Sequence, residues 1–290
     1  MPTIAQWIAG ARPRTLPAAL APVAAGTGAA AALHRADGLR AGLALVVALA
    51  LQVGVNYAND YSDGIRGTDA DRVGPFRLTG SGAARPRSVR AAAWGSFALA
   101  GVAGCALVAL CGAWWMLAVG LLCVLAAWFY TGGRRPYGYA GLGEVAVFLF
   151  FGLVAVLGTT YTQAGRVSLA ALGAALGLGF LSCAILVANN LRDIPSDTAT
   201  GKRTLAVRMG DAGTRGLYAW LLVLPWIVLL PLLPAHPRLL LTLLAAPLAW
   251  APLRAVRGRS TGLALLPVLQ DTGKLVLAYG LLFGVALALP

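Results

Sequence analysis

The sequence predicts an all-α, polytopic membrane protein with nine transmembrane helices in a bundle and an internal four-helix repeat. Of its 290 residues, 59% are hydrophobic and only 11% are charged, and its mean hydropathy is +0.77. Soluble domains carry about 25% charged residues, so this composition excludes an ordinary soluble domain. It also excludes a disordered chain, a collagen and a disulfide scaffold. The apolar content instead allows about eight or nine bilayer crossings joined by short loops.

Nine apolar runs follow one another along the chain, and each approaches the ~20 residues that cross a hydrocarbon core. The runs are Leu16–Leu33, Ala41–Val55, Ala91–Leu110, Ala113–Phe129, Val145–Thr160, Leu169–Val187, Gly216–Leu233, Leu239–Leu253 and Leu275–Pro290. The first run follows Arg12 and Arg14 as a signal peptide would, but the eight further runs favour a retained first helix. We therefore expect each run to form one crossing.

Basic residues are distributed unevenly between alternate loops. With the N-terminus inside, nineteen of the 23 Lys and Arg residues lie in inner segments and four lie outside. Because basic loops stay in the cytoplasm, we predict a multi-pass protein of the cell inner membrane with a cytoplasmic N-terminus. Nine of the ten acidic residues fall on the same side, so we expect the active site to face the cytoplasm. No soluble basic domain is present to bind nucleic acid.

A stripe of polar side chains follows the second run. On a helix continuing from Val55, the residues Asn56, Asn59, Asp60 and Asp63 stand at i, i+3, i+4 and i+7, which is one face. A lone aspartate there would fit an ordinary solvated helix end. Four oxygen-bearing side chains on one stripe at a membrane boundary, where burying charge is costly, favour a functional site.

A second polar cluster ends the sixth run and repeats part of the first. Asn189 and Asp193 have the spacing of Asn56 and Asp60 at an offset of 133 residues. Both clusters end an even-numbered crossing, which predicts a repeat of about four helices with a ninth helix added. We place the whole chain, 1–290, in a single domain. Its repeat halves span about 15–135 and 142–270, and the last helix spans 275–290.

The end of the second cluster contains a proline. Pro195 disfavours helical backbone at Ile194. We therefore expect Asp197, four residues beyond Asp193, to lie on the first turn of a loop rather than on the helix.

The two acidic clusters predict a magnesium site that binds phosphate. Carboxylates facing each other across a bundle repel unless a cation lies between them. Oxygen ligands without cysteine or histidine select Mg²⁺, which takes one or two carboxylates together with substrate phosphates. Basic residues that can hold the other phosphate oxygens alternate with the acids, namely Arg66, Arg72, Arg77, Lys202 and Arg203. Because the site opens from an apolar bundle, we expect a phosphorylated lipid.

A third inner connection carries aromatic and charged residues. Tyr137 and Tyr139 fit an aromatic belt at the membrane interface as well as a binding site. Arg134 lies four residues after Tyr130 and can add a cation beside a diphosphate. Glu144 heads the fifth run, where the helix dipole favours an acid, and where it can also hydrogen-bond a substrate hydroxyl or accept a proton.

Four motifs together resemble the UbiA superfamily of intramembrane prenyltransferases. The first two are Asn59-Asp-x-x-Asp63 and Asp193-x-x-x-Asp197, each at the inner end of a crossing. The stretches 59–69, 135–144 and 201–206 resemble, within that superfamily, the menaquinone-pathway branch that acts on 1,4-dihydroxy-2-naphthoate. The resemblance covers nearly the whole chain. It departs from the broader pattern at Gly67, where a fourth acidic position would fall, and at Arg134, where the superfamily has lysine.

The resemblance implies a Mg²⁺-dependent enzyme, with two ions holding an allylic diphosphate. It implies transfer of a polyprenyl chain to 1,4-dihydroxy-2-naphthoate with loss of CO₂, which gives demethylmenaquinol, in contact with membrane lipid. The expected metal ligands are Asn59, Asp60, Asp63, Asp69, Asn189, Asp193 and Asp197, and the expected catalytic residues are Asp60, Asp63, Asp193, Asp197 and Glu144. The expected diphosphate-binding residues are Asn56, Arg66, Arg72, Arg134 and Lys202, and the acceptor-binding residues are Tyr130, Tyr137, Tyr139 and Glu144.

Two alternatives remain at this point. The first is a prenyltransferase for another aromatic acceptor, of the 4-hydroxybenzoate or haem type. The second is a secondary transporter, because duplicated halves with polar residues inside the membrane also describe that class. The acids here cluster at one membrane edge and alternate with Arg and Lys, which favours the enzyme.

Overall fold

A computed structural model of the protein describes residues 2–67 and 76–289, and every regular element in those two ranges is helical. The α-helices are α1 (Ile4–Ala11), α2 (Pro17–Ala32), α3 (Gly38–Arg66), α4 (Pro86–Cys111), α5 (Met116–Phe129), α6 (Gly143–Val147), α7 (Ala155–Ala164), α8 (Leu169–Ala199), α9 (Leu205–Leu229), α10 (Trp250–Arg257) and α11 (Leu266–Ala288). A π-helical segment, Phe148–Val154, joins α6 to α7, and a 3-10 segment, Pro237–Ala249, precedes α10. The predicted site residues Asp69 and Arg72 lie outside the described residues.

The described helices include seven that are long and apolar enough to cross a membrane, which confirms a multi-pass membrane protein. They are Gly38–Arg66, Pro86–Cys111, Gly143–Ala164, Leu169–Ala199, Leu205–Leu232, Pro237–Arg257 and Gly262–Ala288. The first apolar run forms an eighth candidate together with the helix before it, and this pair is bent by 50°. The fourth run is a shorter apolar helix of 14 residues, α5.

The helix that carries the first polar stripe extends well beyond its apolar run, as predicted. α3 begins after Asp37, whose carboxylate accepts a hydrogen bond from the Arg40 N–H at 3.0 Å and caps the helix. It ends at Gly67, which takes a left-handed conformation (φ +71°) that glycine adopts without strain. All four residues of the stripe therefore lie on one continuous helix.

The expectation that Pro195 ends the second motif's helix is wrong, because α8 continues to Ala199. Two side chains beside the proline add bonds to the helix backbone. The Ser196 hydroxyl donates to the Asp193 carbonyl at 3.0 Å, and the Thr198 hydroxyl donates to the Ile194 carbonyl at 2.7 Å. A proline removes only one backbone N–H, and the loss of that single hydrogen bond does not end α8. Asp197 consequently lies on the last helical turns rather than in the loop.

The core lies around α8, because 72% of an apolar 18-residue stretch of this helix is buried. Glycines let neighbouring helices approach it and each other closely. A Cβ atom added to Gly28 on α2 would lie 2.2 Å from the carbonyl oxygen of Gly284 on α11. A Cβ on Gly152 in the π-helical segment would lie 2.7 Å from the Ala175 carbonyl oxygen on α8. The packing leaves a large cavity on the side of α3, α4 and α5.

Candidate active site

A cavity of about 630 Å³ joins a charged end to a long apolar interior. Its apolar wall follows α5 from Met116 to Ala127 and includes Phe150 and Phe151 of the π-helical segment. Its polar end contains side chains of α3, α8 and the two loops that follow α5 and α8. The polar lining includes Asn59, Asp63, Arg77, Tyr139, Asn189, Asn190, Asp193, Asp197 and Lys202.

The two acidic motifs face each other across this polar end, as predicted, and Lys202 lies between them. Its ammonium nitrogen is 3.9 Å from Asp63 Oδ1 and 3.8 Å from Asp197 Oδ1. It also lies 4.5 Å from the centre of the Tyr139 ring, within the range of a cation–π contact. One cation therefore already bridges the two carboxylates, and all three charged residues are at most 9% exposed.

Asp63 collects contacts from three other parts of the chain. Besides the Lys202 ammonium, it accepts a hydrogen bond from the Tyr139 hydroxyl on Oδ1. Its Oδ2 lies 3.5 Å from the guanidinium of Arg77. Burying a carboxylate is costly unless cations and donors compensate it, and these partners provide that compensation.

Asp193 is held by its own neighbour on α8. Arg192 donates to it through Nε at 2.7 Å and through Nη2 at 2.9 Å, a bidentate contact. The same Nη2 donates to Asn189 Oδ1 at 2.9 Å, and the Asn189 amide lies 3.4 Å from Asp193 Oδ2. The predicted pair Asn189 and Asp193 is thus oriented as one unit on the cavity wall.

Asp60 does not share the described cavity wall with Asp63, which corrects an expectation from the sequence. It is 1% exposed, and its two carboxylate oxygens accept hydrogen bonds from the backbone N–H groups of Leu78 (2.7 Å) and Thr79 (2.8 Å). As a metal ligand it would have to share oxygens that already hold this loop. The loop carries Arg77, so Asp60 positions a residue that contacts Asp63.

Replacing Asp60 with asparagine is expected to destabilise the protein by about 1–3 kcal/mol, because the amide's NH₂ would face one buried backbone N–H and leave it unsatisfied. Arg77, which the same loop carries, should shift with it and weaken its contact with Asp63. Thermal unfolding in detergent would measure the loss, with Asp271→Asn as the control because Asp271 pairs with Lys274 at an exposed site. Unchanged stability with an altered Mg²⁺ requirement would instead make Asp60 a metal ligand.

Two of the predicted diphosphate-binding residues, Asn56 and Arg66, use their donors on other parts of the chain. The Asn56 amide donates to the Ala11 carbonyl (2.9 Å) and the Thr15 hydroxyl (3.0 Å), so its donors fix the bend between α1 and α2. Arg66 is exposed and donates to two carbonyls of the loop after α5, those of Thr131 and Gly133. Arg134 is exposed and absent from the described lining of the cavity. Asn56 still lines the cavity, whereas Arg66 and Arg134 are absent from its described lining, and Lys202 lies between the two acidic motifs. The diphosphate-binding role of the three residues stays a prediction.

The remaining predicted stripe residue, Asn59, lines the cavity. Its side-chain oxygen accepts a hydrogen bond from the Thr131 hydroxyl at 2.8 Å, which leaves a second lone pair on that oxygen. This contact ties α3 to the loop after α5. Asn59 therefore has a free acceptor position on the same wall as Asp63.

The predicted acceptor residues form a group beside the polar end. Tyr130 and Tyr137 pack edge to face with ring centres 5.5 Å apart, and the Tyr137 hydroxyl donates to the Ala126 carbonyl at 2.8 Å. Burial raises the pKa of Tyr137 to about 12. Burial, followed by the charge of Glu144, also raises the pKa of Tyr130. Both phenols therefore remain protonated donors at neutral pH.

Glu144 lies behind the tyrosines, and only one of its two carboxylate oxygens has a hydrogen-bond partner among the described residues. Its Oε1 accepts a hydrogen bond from the Asn190 amide at 3.0 Å, and Asn190 lines the cavity. Its Oε2 is buried and has no hydrogen-bond partner among the described residues. A buried carboxylate oxygen without a partner can still accept a hydrogen bond or a proton. Glu144 is therefore suited to accept one from a substrate hydroxyl that reaches it past Asn190.

Sequence reasoning missed polar residues at the bend between α1 and α2. Arg12, Thr15 and Gln52 all line the cavity, and the Gln52 amide donates to the Thr15 hydroxyl at 3.0 Å. Gln52 interrupts an apolar run one helical turn before Asn56, which is a signal the sequence does contain. Arg12 was counted only for topology, because an arginine before a first crossing is common.

The residues at the polar end fit a magnesium ion that is shared with a phosphate. Within residues 2–67 and 76–289, no group of three acidic, histidine or cysteine side chains is close enough to hold an ion alone. Mg²⁺ usually takes only one or two carboxylates and completes its shell with water and substrate phosphates. Asp63 and Asp197 already flank one cationic position, so the donor set suits this mode of binding.

Comparison with known proteins agrees with this chemistry. Residues 19–264 match the model of the UbiA prenyltransferase family. A Mycobacterium tuberculosis protein named 1,4-dihydroxy-2-naphthoate octaprenyltransferase is 58% identical over 99% of this chain and 98% of its own length. An Escherichia coli protein of the same name is 40% identical over 96% and 93%. A solved UbiA homolog from Archaeoglobus fulgidus bound to GPP and Mg²⁺ has the same fold, with a TM-score of 0.72 at 14% identity over 98% and 99% of the two chains.

Proposed function

The chain belongs to the UbiA prenyltransferase family, and on that premise we propose that it transfers a polyprenyl chain from an allylic diphosphate to 1,4-dihydroxy-2-naphthoate. The acceptor loses its carboxyl group, and the product is demethylmenaquinol for menaquinone biosynthesis. The observation that carries the proposal is the pair Asp63 and Asp197, which flank one cation at the polar end of an apolar cavity. The names of the full-length relatives support the choice of acceptor.

The diphosphate would lie between the two motifs. Asn59 and Asp63 would hold one Mg²⁺ and Asn189, Asp193 and Asp197 a second, and the metal, when bound, neutralises charge on the departing diphosphate. The roles of Asp69 as a ligand and of Arg72 as a cation stay predictions, because both residues lie outside the described ranges. Lys202 and Arg77 already contact Asp63, so a diphosphate bound there would meet both cations.

The apolar wall would hold the prenyl chain and keep water from the allylic carbon. Loss of diphosphate leaves a cationic allyl group, which water would quench. The rings of Tyr130, Tyr137 and Tyr139 line the cavity near the charged residues, and their faces stabilise a cation. The naphthoate ring would enter against the same tyrosines, with the Glu144 carboxylate, which Asn190 orients through its amide, receiving a hydroxyl proton.

We propose nine crossings with the N-terminus in the cytoplasm, in the cell inner membrane. The seven long spans, the bent pair α1–α2 and the short α5 supply nine segments. The inner loops hold most of the basic residues, which supports this orientation. The repeat halves at about 15–135 and 142–270 bring one acidic motif each to the site, within a single domain of residues 1–290.

Incubation of the purified protein with 1,4-dihydroxynaphthoate and a polyprenyl diphosphate is expected to give a prenylated, decarboxylated product by mass spectrometry. EDTA should abolish the product and added Mg²⁺ should restore it, because the carboxylates cannot hold diphosphate without a metal. 4-Hydroxybenzoate serves as the competing acceptor. Prenylation of 4-hydroxybenzoate alone would overturn the acceptor assignment, and diphosphate release that is independent of metal would overturn the mechanism.

A further inference from the structure

A second pocket, of about 470 Å³, lies between α9 and α10, outside the active-site cavity. Three arginines and one aspartate supply its charged lining: Asp211, Arg215, Arg257 and Arg259. The rest of the described lining is small or apolar and includes Trp220 and Val223. Because α9 begins directly after the loop that carries Lys202, this pocket lies at the same end of the bundle as the polar site.

One arginine of the pocket is fully occupied in holding the fold. Arg215 forms a bidentate pair with Asp211, at 2.7 and 2.8 Å. It also donates to the carbonyls of Val256 (2.6 Å) and Ser260 (3.0 Å). These bonds join α9 to the turn that follows α10 and neutralise the aspartate of the pocket.

The other two arginines leave the pocket with a positive charge. Arg257 and Arg259 are exposed, and among the described residues neither has an acid within ion-pair distance. Arg259 takes a left-handed conformation with φ +60°, which is costly for a residue with a Cβ atom. Both arginines nevertheless line the same pocket.

An apolar stripe begins where the arginines end. Trp220 lines the pocket and is 62% exposed. Val223, Ile227 and Leu230 follow it on the outward face of α9 at helical spacing, and each is more than 40% exposed. In a membrane protein such a stripe faces lipid tails, and tryptophan is typical of the level of the headgroups. Charge and apolar surface thus adjoin in the order of a phospholipid headgroup and its acyl chain.

We propose that this pocket binds the phosphate of an anionic membrane phospholipid, with its acyl chain along the Trp220 stripe. Paired guanidinium groups match phosphate oxygens in geometry and charge. Basic pockets between transmembrane helices on the cytoplasmic side are a known type of anionic headgroup site. A basic helix end alone would explain Arg257 through the helix dipole, but it would not explain Arg259 or the adjoining exposed tryptophan. The site is separate from the reaction proposed above.

Native mass spectrometry of the full-length protein in detergent tests the proposal, with dioleoyl phosphatidylglycerol and dioleoyl phosphatidylcholine as probes. The wild type should retain phosphatidylglycerol in preference to phosphatidylcholine. The double variant R257Q/R259Q should retain about tenfold less phosphatidylglycerol than the wild type. The matched control R87Q/R254Q removes the same charge from two exposed arginines outside both pockets and should retain the lipid. Prenyl transfer in detergent should remain at the wild-type level in both variants and reports that they are folded.

Equal retention by R257Q/R259Q and the wild type would overturn the site. Equal loss in R87Q/R254Q would overturn it too, because net charge alone would then explain the binding. A third arm measures the thermal unfolding midpoint with inorganic phosphate in place of lipid. Stabilisation by phosphate equal to that by phosphatidylglycerol would assign the pocket to a free anion and overturn the lipid. If the double variant yields no folded protein, the single variant R257Q is measured in the same way, with a partial loss expected.

Discussion

Replacing Asp63 with asparagine is expected to lower prenyl transfer at saturating Mg²⁺ by about a hundredfold or more. Asp63 is the acid at which the two motifs, the Lys202 loop and Arg77 meet. Without the charge of Asp63, the metal that would hold the diphosphate loses a ligand, and the Lys202 and Arg77 side chains face a neutral amide. Steady-state rates with detergent-solubilised enzyme, measured over a range of Mg²⁺ concentrations, would show the loss.

The control for this variant is Asp271→Asn, which removes an acid from a partly exposed pair with Lys274. Exposed pairs contribute little to stability, so this enzyme should transfer prenyl groups normally. Near-normal turnover of Asp63→Asn would remove Asp63 from the metal site. A loss of thermal stability that accounts for the whole loss of activity would make its role structural instead.

Replacing Gly28 with alanine is expected to destabilise the fold by about 3 kcal/mol. The added Cβ would lie 2.2 Å from the carbonyl oxygen and 2.4 Å from the Cα of Gly284. Both atoms belong to backbone, so relief requires α2 and α11 to separate. The yield of monodisperse protein on size exclusion and the midpoint of thermal unfolding would measure the effect.

Gly95→Ala is the matched control, because a Cβ at Gly95 on α4 meets no atom within 4 Å. Alanine is a better helix former than glycine by up to about 1 kcal/mol, so this change should be neutral or stabilising. An equally stable Gly28→Ala protein would show that the two helices tolerate a wider separation than the structure indicates.

The opposed acidic motifs could be predicted because both depend on local information. Asp63 and Asp193 each follow an apolar run at helical spacing, and the run lengths predict that the two motifs lie at the same end of the bundle. Hydropathy also located the seven helices that are long and apolar enough to cross a membrane, although α3 and α8 extend past their apolar runs where polar residues lie on a buried face. The prediction at Pro195 failed because a proline removes only one backbone N–H, and the helix continues past it to Ala199.

The roles within the polar stripe could not be predicted from spacing. Asp60 and Asp63 are adjacent on a helical projection, but Asp60 faces the backbone of Leu78 and Thr79, eighteen and nineteen residues later. Asn56 faces the bend between α1 and α2. Which neighbour each side chain meets depends on where distant segments return, and that is tertiary information. For the same reason the sequence did not predict the partners of Arg66, which lie in the loop after α5.

The position of Lys202 has a consequence for the interval between catalytic cycles. Asp63 Oδ1 and Asp197 Oδ1 lie no more than about 8 Å apart around the ammonium, and at an effective dielectric constant of about 20 their mutual repulsion without it would be at least ~2 kcal/mol. A counterion that is covalently part of the polypeptide cannot diffuse away when product leaves. The two acidic motifs are therefore held next to each other by the chain's own charge in the absence of substrate.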